Sequence, residues 1–83
     1  MDAHPETVRL GATIVVRDSD GESDTYVVVS PDDADPRAGK VSSHSPIGRA
    51  LLGRRVGESV VILAPGGSFT VRIESVDMGR DRT

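Results

Sequence analysis

Apolar and polar residues alternate along several stretches of the chain, as they do in half-buried β-strands. The stretch ATIVVRD places Ala12, Ile14 and Val16 on one face and mostly polar residues on the other. A polar run containing Asp20-Gly21 separates it from a second apolar stretch, TYVVVS. Two such stretches on either side of Asp-Gly predict a β-hairpin.

A second pair of stretches lies near the C-terminal end. SVVILAP (59–65) leads through the glycines of PGG into SFTVRIESV (68–76). In the latter, Phe69, Val71 and Ile73 alternate with polar or charged residues. Because Pro-Gly and Gly-Gly pairs mark turns, these stretches predict a second hairpin.

Between the two hairpins the pattern changes to helical spacing. A loop rich in proline and aspartate (31–40) and a short strand, KVSSH, precede the segment SPIGRALLG. Ser45 suits the N-cap of a helix, Pro46 its first position and Gly53 its left-handed exit. The helix would present an apolar stripe at helical spacing, made of Ile47, Ala50, Leu51 and Leu52. This order of elements predicts an α+β fold in which an antiparallel β-sheet wraps around one short α-helix.

Composition limits the class of protein. The 83 residues suffice for one small domain, which we expect at 8–76, with flexible tails at 1–7 and 77–83. Cysteine is absent, which excludes disulfides, thiolate nucleophiles and cysteine-based zinc sites. The net charge of −3 does not favour direct, sequence-specific nucleic-acid binding. No apolar stretch approaches the ~20 residues that span a bilayer, so we expect no membrane association and a cytoplasmic location.

Several polar segments bear a partial likeness to catalytic or metal-binding motifs. GRALLGRR has the glycine spacing of a phosphate loop but lacks the Lys and Ser/Thr that follow it. DSDGESD lacks the glycine position and flanking helices of a calcium loop. The acidic loop around Asp32–Asp35 and the segment SSHS lack the converging partners of a catalytic site. We therefore expect no enzyme, cofactor or metal, and both segments remain candidate contacts with a partner protein.

Residues 8–76 resemble the C-terminal domain of the Gre-type transcription elongation factors (GreA/GreB). The most specific similarities are the polar hairpin before TYVVV, the loop DDADP, SPIGRALLG with VGESV, and PGG, in that order. The resemblance implies an FKBP-like fold with the same order of elements. Prolyl isomerase activity is not expected, because such a pocket is lined by several aromatic residues and only Tyr26 and Phe69 occur here.

The resemblance also implies a partner. In Gre factors this domain docks on bacterial RNA polymerase at the rim of the secondary channel, on a coiled coil of the largest subunit. The family's docking edge corresponds to Ser42, His44 and Pro46, with Ile47 and Arg49 adjacent. Ser42 and Pro46 match the family pattern, whereas His44 stands where Asp or Asn is more common. An imidazole there would weaken docking or make it pH-dependent.

A second part of the Gre factors has no counterpart in the pattern of these residues. The family carries an N-terminal coiled-coil hairpin whose acidic tip helps to hold a catalytic Mg²⁺ for transcript cleavage. No heptad pattern occurs in the 83 residues, so we expect no cleavage by that mechanism. Two alternatives remain: a stand-alone regulator that competes with other secondary-channel factors, or a relative of the nucleoside diphosphate kinase regulator (Rnk), which uses a similar domain.

Overall fold

The computed structural model describes residues 7–78. Its strands form one sheet with the order β3-β2-β1-β5-β4. The elements are β1 (Thr13–Asp18), β2 (Ser23–Val29), β3 (Lys40–Ser42), α1 (Pro46–Leu51), β4 (Ser59–Ala64) and β5 (Gly67–Asp77). The helix contacts the edge strands β3 and β4 as well as β2, so the sheet curls around it.

The first hairpin is confirmed, and its polar turn is held by one aspartate. β1 and β2 pair antiparallel. The Asp18 Oδ1 atom accepts hydrogen bonds from the backbone N–H groups of Asp20, at 2.9 Å, and Glu22, at 3.0 Å. Gly21 has a φ of 85°, which a residue with a side chain rarely adopts. The segment that bears a likeness to a calcium loop is therefore a hairpin turn.

The second hairpin is also confirmed. β4 pairs antiparallel with β5, and β5 continues the sheet by pairing with β1. β5 extends to Asp77, and Thr7 forms an isolated bridge with Arg55. Of the tails predicted at 1–7 and 77–83, residues 1–6 and 79–83 lie outside the described residues.

The α+β class is confirmed, although the sheet is mixed rather than wholly antiparallel. β3 pairs parallel with β2, with Val41 opposite Val28. Parallel neighbours cannot be joined by a tight turn. The chain instead crosses over through two 3-10 turns, Pro31–Asp33 and Pro36–Ala38, before β3 begins. This crossover delivers the chain to the start of α1 at one edge of the sheet.

The core is aliphatic and includes one fully buried apolar side chain of the helix, that of Leu51. The partly buried Ile47, Ala50 and Leu52 pack against it. The inward positions of the four longer strands supply most of the rest, which comprises Val8, Ala12, Ile14, Val16, Val28, Val60, Ile62, Val71, Ile73 and Val76. The helix is therefore held by burial, as its short length requires.

Tyr26, on β2, gives a testable pH dependence. Burial, and secondarily the charge of Asp24, raises the pKa of its phenol above the ordinary value of 10.0. Because the folded state favours the neutral phenol, this group contributes to the free energy of unfolding. The contribution is fully present below the unfolded pKa and is lost as pH rises through the folded pKa. We expect tyrosinate absorbance to appear at higher pH in the native than in the denatured protein.

The Asp24→Asn variant provides the control for Tyr26. It should lower the native midpoint without bringing it to the denatured value, because burial is the larger cause. The chain has one Tyr and no Trp, so the absorbance belongs to a single group. A native midpoint at or below the denatured one would contradict the partial burial of this side chain on β2.

Candidate functional site

Two serine side chains build the turn between β3 and α1. The Ser42 Oγ atom accepts a hydrogen bond from the His44 backbone N–H at 2.9 Å. Ser45 Oγ donates to the Ser42 carbonyl at 2.7 Å and accepts from the Gly48 N–H at 3.1 Å. Ser45 is thus the N-cap and Pro46 the first helical residue, as predicted. These bonds connect the end of β3 rigidly to the start of the helix.

Gly48 allows the helix to lie directly on that strand end. It is buried, and a Cβ atom at this position would overlap the Ser42 carbonyl oxygen. The same atom would lie 2.9 Å from the Ser42 carbonyl carbon and 3.0 Å from Ser43 Cα. Gly48 is not among the positive-φ glycines, so the requirement here is for space. The close approach places the last residue of β3 beside the first turn of α1.

The five residues predicted for docking lie together around this junction. His44, Pro46 and Arg49 are exposed, whereas Ser42 and Ile47 are partly buried. Ser42 and Ile47 therefore have structural roles as well, in the turn and against the core. The structure places these residues on one surface, which is the geometry that a docking site requires.

An open groove of about 310 Å³ begins at this junction, and we call it the apolar groove. One wall includes Ser42, Pro46 and Ile47, and the other includes Leu63 and Phe69 from the second hairpin. The side chains of the second wall are 67% and 42% exposed, respectively. Large apolar side chains left in contact with water beside a groove are typical of binding surfaces.

A second groove, of about 410 Å³, adjoins the first, and we call it the cationic groove. It shares Pro46 and Leu63 with the apolar groove, and no carboxylate lines it. Arg49 forms no ion pair within residues 7–78. The groove is lined by His44, Pro46, Arg49, Ala50, Val61 and Leu63. An acidic group would find an unpaired cation there.

The residues contributed by the second hairpin were missed by the sequence analysis. A signal for them was present, since Val60–Ala64 is an uninterrupted apolar run. A strand with only one buried face should alternate apolar and polar residues. Val61 and Leu63, on the outward face of β4, break that alternation and so indicate a surface that is covered by something else.

Two other basic residues close to the helix, Arg54 and Arg55, line neither groove. Arg54 pairs with Glu58 at 3.5 Å, and its Nε donates to the Ala50 carbonyl at 3.3 Å. An exposed pair of this kind contributes less than about 1 kcal/mol. Arg49 is thus the arginine of this segment that lines the cationic groove.

The remaining motif-like segments have structural roles. The helix ends at Leu51 and Gly53 follows with a φ of 83°, so GRALLGRR contains a helix end where a phosphate loop would have a helix start. In the acidic loop, Asp33 Oδ2 accepts a hydrogen bond from Ser30 Oγ at 3.2 Å. Across residues 7–78, no group of three His, Cys, Asp or Glu side chains could hold a metal ion.

Helices long and apolar enough to cross a membrane are absent from the described part of the chain.

The family is decided by a match over the whole described region. Residues 3–78 match the model of the family described as "Transcription elongation factor, GreA/GreB, C-term". The chain belongs to the GreA/GreB C-terminal family. The resemblance inferred from the sequence is therefore confirmed.

Curated GreA proteins support this membership. GreA of Rhodospirillum rubrum is 47% identical over 75 residues, which are 89% of this chain and 48% of the relative. GreA of Geobacillus kaustophilus is 45% identical over 74 residues, or 88% of this chain and 47% of the relative. The chain thus spans about half the length of these curated GreA proteins.

Solved structures confirm the FKBP-like α+β fold. Gfh1 of Thermus aquaticus superimposes with a TM-score of 0.81 at 33% identity, covering 92% of this chain and 51% of the other. A GreA/GreB elongation factor of Nitrosomonas europaea gives 0.76 at 32% identity, covering 90% and 63%. This chain therefore has the fold of a GreA/GreB C-terminal domain.

Proposed function

We propose that this domain binds bacterial RNA polymerase at the rim of the secondary channel, on the coiled coil of the largest subunit. The docking residues are Ser42, His44, Pro46, Ile47 and Arg49. Membership in a family of transcription elongation factors supports the choice of partner. The observation that carries the site is that exposed apolar and basic side chains meet at the β3–α1 junction beside two adjoining grooves.

The proposed activity is binding without catalysis. An apolar centre with a polar rim is the usual anatomy of a protein interface. Here the centre is formed by Pro46, Ile47 and Leu63, and the rim by His44 and Arg49. We assign transcript cleavage to no residue of this domain. By occupying the channel rim, the domain would exclude other secondary-channel factors in proportion to its abundance and affinity.

The test of docking is binding to purified RNA polymerase core, with a full-length Gre factor as competitor. The double variant His44→Ala/Pro46→Ala should weaken binding at least about thirtyfold, since truncating a central residue such as Pro46 costs about 2 kcal/mol or more, and the loss of the rim residue His44 adds to it. The thermal midpoint should change by only a few degrees, because both side chains are exposed.

Leu10→Ala is the control for the docking test. Leu10 is an apolar side chain that is 53% exposed and lines neither groove, so its truncation should leave polymerase binding unchanged. Undiminished binding by the folded double variant would place the docking surface elsewhere. Wild-type protein that neither binds the core nor is displaced by the Gre factor would reject the proposed function.

A further inference from the structure

The outward face of the β4–β5 hairpin continues beyond the cationic groove. Ser59, Val61 and Leu63 are exposed on this face of β4, because the residues between them point into the core. Val61 lines the cationic groove, and its cross-strand partner Thr70 lines an open hollow of about 180 Å³, which we call the outer hollow. Directly opposed side chains lie about 5 Å apart at their Cβ atoms. The groove and the hollow are therefore adjacent parts of one surface.

The outer hollow contains two opposed arginines. Arg17 on β1 and Arg72 on β5 lie directly opposite each other, and both line the hollow. Like charges at such positions destabilise a sheet, and only Arg17 is relieved, by an ion pair with Glu74 at 3.4 Å. Arg72 forms no ion pair within residues 7–78, and the carboxylate that lines the hollow, Asp18, holds the hairpin turn. The positive charge of Arg72 is therefore left uncompensated by the described residues.

Two unpaired arginines thus lie on either side of an exposed apolar stretch. Arg49 lines the cationic groove, Arg72 lines the outer hollow, and Val61 and Leu63 lie between them. The distance along β4 from Leu63 to Ser59, which is opposite Arg72, is about 13 Å at about 3.3 Å per residue. An α-helix covers that length in about two and a half turns. The surface therefore suits a helix that carries acidic residues about two turns apart and an apolar residue between them.

Charge and apolar character discriminate between the possible occupants of this surface. A second copy packed face to face about a two-fold axis would bring Arg72 of one protomer near Arg72 or Arg49 of its partner, and like charges would oppose the contact. A nucleic acid would pair with the arginines, but Glu74 on the same face would repel its phosphates. It would also leave Val61 and Leu63, which are 57% and 67% exposed, without apolar contacts. A helix with acidic and apolar side chains satisfies both kinds of residue.

We propose that the docking surface extends across the outward face of the hairpin to Arg72, and that one helix of the polymerase coiled coil occupies it. An apolar side chain of that helix contacts Val61, and acidic side chains pair with Arg49 and Arg72. This inference rests on the proposed function, because the same partner reaches the β3–α1 junction and the hairpin face together. It adds a contact outside the predicted docking residues and gives the chemistry of the partner's surface.

The matched charge reversals Arg72→Glu and Arg9→Glu test this extension. Both arginines are exposed, but Arg9 lines neither groove nor the outer hollow. At low ionic strength Arg72→Glu should bind polymerase core about fivefold or more weakly than Arg9→Glu, because repulsion replaces attraction at the contact. The difference should shrink as added salt screens these exposed charges. The thermal midpoint of Arg72→Glu should not fall, since the change removes a like charge opposite Arg17.

Site-specific cross-linking gives a second readout that identifies the occupant directly. The chain has no cysteine, so a photoreactive label on a Ser59→Cys variant reports only from the outer hollow, which Ser59 lines. This label should cross-link to the largest subunit of polymerase core. The control is the same label on Leu10→Cys, at an exposed position that lines neither groove nor the hollow. It should give no cross-link to that subunit.

The contrary outcomes have distinct meanings. Equal binding by Arg72→Glu and Arg9→Glu, with binding lost in His44→Ala/Pro46→Ala, would confine docking to the β3–α1 junction. That result would overturn the extension and leave the proposed function in place. Cross-linking of the Ser59→Cys label to RNA or DNA in an elongation complex, or to a second copy of the domain, would assign the hairpin face to that occupant and overturn the inference. Failure of the wild-type domain to bind polymerase core would reject the proposed function and the inference with it.

Discussion

The Gly48→Ala variant is expected to lose at least about 3 kcal/mol of its free energy of unfolding, at the upper end of the usual cost of overpacking. The added methyl would overlap the Ser42 carbonyl oxygen and come within 2.9 Å of its carbon. That carbonyl cannot easily move, because it accepts hydrogen bonds from both the N–H and the Oγ of Ser45. Helix propensity alone would favour alanine by about 1 kcal/mol. A loss of stability would therefore show that the steric overlap with β3 outweighs the gain in propensity.

Urea denaturation measures this change, with Gly66→Ala as the control. Gly66 lies in the β4–β5 turn, is not a positive-φ glycine, and has open space within 4 Å of where a Cβ atom would lie. Its substitution should therefore alter stability by less than about 0.5 kcal/mol. A Gly48→Ala protein as stable as the Gly66→Ala protein would show that the helix does not rest on the end of β3.

The Leu51→Ala variant is expected to cost about 2–5 kcal/mol, the range for large-to-small changes in a core. Leu51 is 0% exposed and belongs to the cluster that joins the helix to the sheet. Its truncation would remove apolar contacts and leave a cavity that a helix of this length cannot close by itself. For a small domain with about 5–15 kcal/mol of total stability, such a loss is a large fraction.

Leu63→Ala is the matched control for Leu51, because it makes the same chemical change at an exposed position. Leu63 is 67% exposed, so its truncation should change the denaturation midpoint little. The same variant should weaken polymerase binding, since Leu63 lines both grooves. Equal destabilisation by the two substitutions would contradict the packing of α1 against the core.

Local structure was well predicted because its signals lie within a few residues of one another. Asp20-Gly21 identified the first hairpin turn, and Ser45 with Pro46 identified the start of the helix. The boundaries differ slightly, since β2 begins at Ser23 and the helix ends at Leu51. Caps and turns are set by hydrogen bonds between near neighbours, which is why short motifs reveal them.

The candidate site was predicted only in part. The residues of its first wall, from Ser42 to Arg49, lie in one continuous segment of the sequence. The resemblance to the family was therefore enough to predict them. Its second wall, containing Val61, Leu63 and Phe69, came from the other hairpin. The steric role of Gly48 also escaped prediction, because the atom that excludes a side chain there belongs to a different element.

The sequence by itself determined the strands, the turns, the helix cap and the family of this protein, because each depends on residue types at short, fixed spacings. Only the tertiary structure decided that β3 runs parallel to β2 and that β4 lies beside α1. These placements depend on how the sheet curls to bury Leu51. That curvature depends on packing between elements that are far apart in the chain, so no local stretch of sequence encodes it.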